Sequence, residues 1–275
     1  MFSKRVLTAI IGIPAAIYII QYGQWLFFAT IALLAVASWH EFCTMLRVKK
    51  TKLAYYPGIF GILLLLGCAW LGNPDETMGV LFITILLLLS KMVIDHKNFS
   101  VQEAVYSIFG IGYIGLAFSY LILLRSLQLT QLCPTLWGAL PAGIVYLWLP
   151  FIGTWANDTA AFLVGSRWGK QKLCPAISPG KTVEGALGGL VGSVAALAGI
   201  GSLLFGIPVL HAVLIGCLVG VAAPVGDLTE SAFKRFCGVK DSGSLLPGHG
   251  GVLDRFDSIM FTAPLVYYYI QLFLI

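Results

Sequence analysis

The sequence predicts an all-α polytopic integral membrane protein with about nine transmembrane helices, a cytoplasmic N terminus and an external C terminus. Three observations carry that expectation. Hydrophobic residues fill 59% of the 275 positions and charged residues 11%, far from soluble-domain usage. Apolar stretches long enough to cross a ~30 Å hydrocarbon core recur along the chain. Lysine and arginine gather in clusters that share one face of the bilayer when nine spans alternate.

The spans are expected at 5–21, 24–39, 54–72, 78–94, 104–124, 136–164, 183–205, 212–233 and 258–275. The first has the apolar core of a signal peptide but no clean small-x-small cleavage site, so it reads as a retained helix. Residues 6–39 as one helix would run ~50 Å at ~1.5 Å per residue, so "QYGQ" is expected to break it. The sixth span carries Asn157 and Asp158 inside "GTWANDTAAFLVG".

The clusters Lys4/Arg5, Arg47/Lys49/Lys50/Lys52, Lys91/Lys97, Arg167/Lys170/Lys172/Lys181 and Lys234/Arg235/Lys240/Arg255 fall on one face, and Arg125 on the other. The positive-inside rule makes the first face cytoplasmic. Two parts are expected: N-terminal transmembrane helices over 1–133, and a second transmembrane region over 134–275. In the second, the polar segments 165–182 and 234–257 flank a helical hairpin on the cytoplasmic side. Six cysteines form no C-x-x-C pair and have no zinc-like spacing with histidine, so neither a disulfide framework nor a zinc site is expected. Cys174 and Cys237 are expected to be exposed at the membrane edge.

Asp227 lies in "LIGCLVGVAAPVGDLTESAFKRF". A carboxylate among apolar residues costs about 2.5–3.5 kcal/mol at the bilayer centre and less near its edge, so a partner or a function is expected. Glu230 and Lys234 read equally well as a salt-bridged helix end. Asp254 and Asp257 are expected to start the last helix, where the macrodipole favours acidic residues anyway. The preceding "LPGHGG" adds glycines that let backbone amides approach an anion. His249 has no second histidine at a ligand spacing.

"GKT" at 180–182 is not a P-loop, because Pro175 stands where that motif requires glycine. Instead Ser178 is expected to cap a helix, with Pro179 at its first position and Lys181 in its first turn. Such a helix start suits a phosphate, although a purely structural cap is as common. One polar face thus combines acidic residues, cations and phosphate-friendly backbone. That set suits phosphoryl or nucleotidyl transfer, since two like charges ~4 Å apart repel by about 4 kcal/mol at an effective dielectric near 20. Magnesium and lysine or arginine cancel such repulsion. Asp158 and Asp227 would equally serve a transporter as intramembrane ion ligands.

Residues 231–258, "SAFKRFCGVKDSGSLLPGHGGVLDRFDS", resemble the signature of the phosphatidate cytidylyltransferase (CDP-diacylglycerol synthase) family. Ser231, Lys234, Arg235, Lys240, Asp241, Pro247, His249, Gly250, Gly251, Asp254, Arg255 and Asp257 stand at its positions. The likeness is close from Asn157 onward; the earlier spans agree only in being hydrophobic. It implies that CTP and phosphatidic acid give CDP-diacylglycerol and pyrophosphate with Mg²⁺ as cofactor, and it leaves room for a second cation. It further implies that Asp227 and Asp254 bind metal and that Lys234, Arg235, Lys240 and Arg255 neutralise phosphates. Asp241, His249 and Asp257 would position groups, and Asp158, Ser178, Lys181, Ser231, Gly250 and Gly251 would meet substrate. A homodimer in a bacterial inner membrane, with its active site facing the cytoplasm and no nucleic-acid partner, completes what the resemblance implies. A CTP-using lipid kinase, which would release CDP, is the nearest alternative.

Overall fold

The computed structural model describes residues 2–72, 74–127, 131–136, 138–245 and 250–275, without the side chains of 2–11 and 74–75. Its elements in chain order are α1 (Phe2–Tyr22), α2 (Gln24–Val48), α3 (Tyr55–Leu71), α4 (Pro74–Ile94), α5 (Val101–Ile111) and α6 (Ala117–Ser126). A strand pair follows, β1 (Leu132–Thr135) and β2 (Gly138–Pro141), then α7 (Ala142–Trp168). Next come β3 (Lys172–Cys174), β4 (Ser178–Thr182), α8 (Val183–Ala196), α9 (Val209–Cys237), α10 (Leu253–Phe256) and α11 (Ile259–Phe273). π-helical turns at Gly112–Leu116 and Leu197–Gly201 join α5 to α6 and extend α8.

The protein is therefore an all-α membrane protein with little sheet. Among the described residues, five helical stretches are long and apolar enough to cross a membrane: Gln24–Val48, Glu76–Ile94, Val101–Ser126, Val183–Gly201 and Val209–Cys237. Gly12–Tyr22, Tyr55–Leu71 and Ile259–Phe273 are shorter apolar helices. The break between α1 and α2 falls at Gly23, whose φ of 66° is open to glycine at little cost.

Three local expectations are corrected. Residues 136–141 do not begin the sixth span: β1 and β2 pair antiparallel, turning at Gly138 with φ 106°, and α7 starts only at Ala142. Asp254 and Asp257 do not start the last helix: Asp254 sits in the one-turn α10 and Asp257 in the turn before α11, which begins at Ile259. Cys237 is buried and Cys174 half-buried.

The chain forms two compact units. The first comprises residues 1–123 and 234–256. Its core is built on Trp39 and Phe42 of α2, both essentially buried. Gly58 of α3 and Gly110 of α5 lie against these rings, where a Cβ would collide with them. Trp39 donates its indole N–H to the Tyr55 carbonyl at 2.9 Å, which satisfies the one polar atom it buries. Ser100 opens α5 with a capping box: its hydroxyl accepts from the Glu103 amide, and the Glu103 carboxylate accepts from the Ser100 amide at 2.7 Å. The signature segment 234–256 thus folds with the N-terminal helices.

The second unit comprises residues 124–233 and 257–275. Here α7 and α8 approach closely through small residues. A Cβ on Gly185 would stand 3.0 Å from the Ala161 carbonyl, and one on Gly189 2.9 Å from the Asn157 amide. Between helices in lipid, such small residues permit the backbone contact that van der Waals association needs. Ser193 of α8 donates to the Gly216 carbonyl of α9 at 2.9 Å. Thr154 and Thr262 join α7 to α11, their hydroxyls 3.3 Å apart.

Candidate active site

In the second unit, proline creates a defect that a polar side chain fills. Pro224 lies inside α9 and has no N–H to give the Gly220 carbonyl one turn earlier. Asn157, 3% exposed on α7, donates to that carbonyl at 3.2 Å. The asparagine in the apolar sixth span is thereby accounted for: it supplies the donor that the helix itself cannot give this carbonyl. The same stretch of α9 borders a cavity of about 400 Å³, whose wall includes Asp158, Gly180, Lys181, Thr182, Pro224 and Asp227.

Lys181 reaches this cavity from a strand, which corrects the expected helix start at Ser178. β4 pairs antiparallel with β3, Lys172 opposite Thr182 and Cys174 opposite Ser178. The N-cap of α8 is Thr182, whose hydroxyl accepts from the Gly185 amide at 3.1 Å. Ser178 with Pro179 carries the local cap signal, but pairing with residues 172–174 and the threonine nearer the apolar run prevail. Glu184 secures the entry to the hairpin by accepting from the Lys170 and Gln171 amides at 3.0 and 3.2 Å.

Lys181 Nζ lies 2.8 Å from Asp227 Oδ2, the lysine 23% and the aspartate 37% exposed. Asp227 Oδ1 accepts from the Ser231 hydroxyl one turn along α9 at 3.2 Å. Asp158 is exposed on the cavity wall, whereas Ser178 is not part of that wall.

In the first unit the signature segment wraps a second lysine–aspartate pair. Lys234 Nζ donates to Asp254 Oδ1 at 2.7 Å, both side chains largely buried. Asp254 Oδ2 accepts from the Ser242 amide, the Ser242 hydroxyl and the Gly251 amide at 3.0, 2.9 and 2.8 Å. Burial opposes ionisation of Asp254, but Lys234 and the bonds from Gly251 and Ser242 outweigh it and hold the carboxyl at about 2. Gly250 has φ 82°, and a Cβ there would stand 2.8 Å from Asp254 Oδ2. The glycines thus bring backbone amides to an anion that belongs to the protein itself.

Arg235, Lys240, Asp241 and Arg255 are exposed, and Asp257 is half-buried with Oδ1 accepting from the Ser258 amide at 2.6 Å. His249 and Pro247 lie outside the described residues. The sequence reading missed Glu41, Asn157 and Thr182 as organisers. Pro224 four residues after Gly220 was the available signal for Asn157; Thr182 immediately before the apolar run was the signal for the cap.

Among the described residues no group of three or more His, Cys, Asp or Glu assembles into a metal cluster. Magnesium rarely needs one, being held by one or two carboxylates together with substrate phosphates and water. Asp227, with Asp158 on the same cavity wall, offers hard oxygen donors of that kind. The residues present therefore fit the ion.

A helical membrane protein whose cavity sets a lysine against an aspartate has the equipment of an enzyme for phosphate-bearing substrates. The chain belongs to the cytidylyltransferase family, whose model matches residues 3–273. It is 35% identical over 284 residues to the phosphatidate cytidylyltransferase of Bacillus subtilis, covering 98% of each chain. The phosphatidate cytidylyltransferases of Synechocystis and Staphylococcus haemolyticus are 36% and 34% identical, over 100% and 95% of this chain and 98% and 96% of theirs.

Proposed function

We propose that the chain transfers the cytidylyl group of CTP to phosphatidic acid, giving CDP-diacylglycerol and pyrophosphate. The observation that carries this reading is the near full-length identity with three phosphatidate cytidylyltransferases. The Lys181–Asp227 pair in the cavity supplies chemistry that fits it.

A phosphate oxygen of phosphatidic acid attacks the α-phosphorus of CTP. The new P–O bond forms as the α–β bridging bond breaks, and both electrons of that bond leave with pyrophosphate. The nucleophile is already an oxyanion, so alignment and charge neutralisation carry most of the acceleration. Lys181 leaves Asp227 for an arriving phosphate and cancels part of its charge. Asp227, with Asp158 on the same cavity wall, would hold Mg²⁺, and the ion would neutralise part of the triphosphate's charge. Asp254, the other carboxylate expected to bind metal, holds Lys234 and accepts from Ser242 and Gly251.

Nine crossings, with the N terminus in the cytoplasm and the C terminus outside, belong to the same proposal. The helices α1–α4, α5 with α6, α7, α8, α9 and α11 lie over the nine expected spans, and the cation clusters favour a cytoplasmic site in a bacterial inner membrane. A homodimer rests on the family resemblance.

The test is a product assay with purified protein, labelled CTP, phosphatidic acid and Mg²⁺ in mixed micelles. CDP-lipid and pyrophosphate are expected. Release of CDP with a phosphorylated lipid would make the protein a lipid kinase instead.

A further inference from the structure

The turn that carries Asp254 is moulded around a carboxylate from the N-terminal half of the chain. Glu41, on α2, is 4% exposed. Its Oε1 accepts from the Val252 amide at 2.9 Å, and its Oε2 accepts from the Leu253 amide at 3.0 Å. The Ser242 hydroxyl stands 3.2 Å from Glu41 Oε2 and 2.9 Å from Asp254 Oδ2. One hydroxyl proton serves only one of these carboxylates at a time, so Ser242 ties the positions of Glu41 and Asp254 together. Two glycines make room for the arrangement: a Cβ on Gly251 would lie 2.5 Å from Glu41 Oε2, and one on Gly243 2.7 Å from Oε1.

We propose that Glu41 is a positioning residue for the transfer reaction, acting through Ser242, Val252 and Leu253 to fix the carboxylate of Asp254 and the ammonium it holds. The inference rests on the cytidylyl-transfer reading and extends the machinery into a helix that sequence alone marks only as a transmembrane span. A buried carboxylate accepting two backbone amides at once sets both the direction and the depth of the turn. A neutral amide of the same size cannot, because its NH₂ faces a donor.

The experiment compares Glu41→Gln, Glu41→Asp and Ser242→Ala with the full-length wild type in mixed micelles. It reads kcat and KM for CTP per folded molecule, together with amide hydrogen exchange of the 239–256 segment. In Glu41→Gln, kcat is expected to fall by about tenfold or more, KM to change by less than about threefold, and exchange in the segment to accelerate. Glu41→Asp, which keeps two acceptor oxygens, recovers part of kcat, and Ser242→Ala loses kcat in the same sense.

A Glu41→Gln enzyme with wild-type kcat per folded molecule would overturn the proposal, even if its yield or melting temperature dropped. So would equal losses in the glutamine and aspartate variants. If Glu41→Gln does not fold, kcat in Ser242→Ala and Glu41→Asp decides: wild-type values in both overturn the proposal. A wild type that makes no CDP-lipid would sink the cytidylyl-transfer reading instead. The exchange comparison still reports whether Glu41 holds the turn.

Discussion

Lys181 Nζ stands 2.8 Å from Asp227 Oδ2 across the cavity of the second unit, on a strand and a helix that the chain separates by more than forty residues. Each side chain is the other's counter-charge until a phosphate arrives. Asp227→Asn is expected to lower kcat by about two orders of magnitude while leaving the protein in the membrane. Lys181→Ala should cost a similar factor, and the double variant much less than the product of the two losses. Steady-state assay of CDP-lipid formation by the four proteins closes the cycle. Independent, multiplicative losses would mean that the pair does not act as a unit.

The proposed Mg²⁺ ligand role of Asp227 makes metal dependence the next test. Chelation of divalent cations is expected to abolish CDP-lipid formation, and added Mg²⁺ to restore it. Asp227→Asn should raise the Mg²⁺ concentration needed for half-maximal rate by about tenfold or more, since one hard ligand is lost. Rate against Mg²⁺ concentration, at fixed CTP, is the measurement. An unchanged requirement would remove Asp227 as a ligand.

Much of this architecture is legible in the sequence, because a bilayer demands long apolar helices and those are written locally. The break at Gly23 is of this kind, needing only a left-handed residue where a helix would overrun the membrane. The misreadings are non-local. "SPGKT" carries a serine and a proline in helix-start order, yet pairing with Lys172–Cys174 draws it into a strand and leaves Thr182 to cap α8. Asp254 reads as the first turn of the last helix, but it lies in the separate one-turn α10, and Glu41, some two hundred residues earlier, accepts from the Val252 and Leu253 amides at its start. No periodicity within residues 240–260 announces that contact.

Asp254 gives a pH prediction with a definite sign. Its carboxyl is held at about 2, below the usual value near 3.9, so the folded state favours its ionised form. The stabilisation, about 2 kcal/mol by linkage, is fully present above about pH 5 and is lost as pH falls through about 2. Wild type should therefore exceed Asp254→Asn in thermal stability at pH 6, and the gap should narrow between pH 4 and 2.5. Thermal unfolding of both proteins in detergent across that range is the check. A gap that persists undiminished at pH 2.5 would place the stabilisation elsewhere.

The last test concerns the proline beside the cavity. Pro224 deprives the Gly220 carbonyl of its helical donor, and Asn157 replaces it at 3.2 Å. Asn157→Ala leaves that carbonyl without this donor inside the protein. The expected cost is about 1 kcal/mol, at the low end for a buried group because the membrane-embedded reference state also finds partners. Pro224→Ala restores an N–H to α9, so adding it to Asn157→Ala should recover most of the lost stability. It should not recover activity, because the restored bond in α9 shifts Asp227 relative to Lys181 and withdraws the Pro224 carbonyl that Lys181 Nζ approaches at 3.5 Å. Unfolding midpoints and CDP-lipid formation for the two single variants and the double separate these effects. Recovery of both stability and activity would show that Asn157 serves only the backbone, whereas recovery of stability alone ties the proline to the placement of the ion pair.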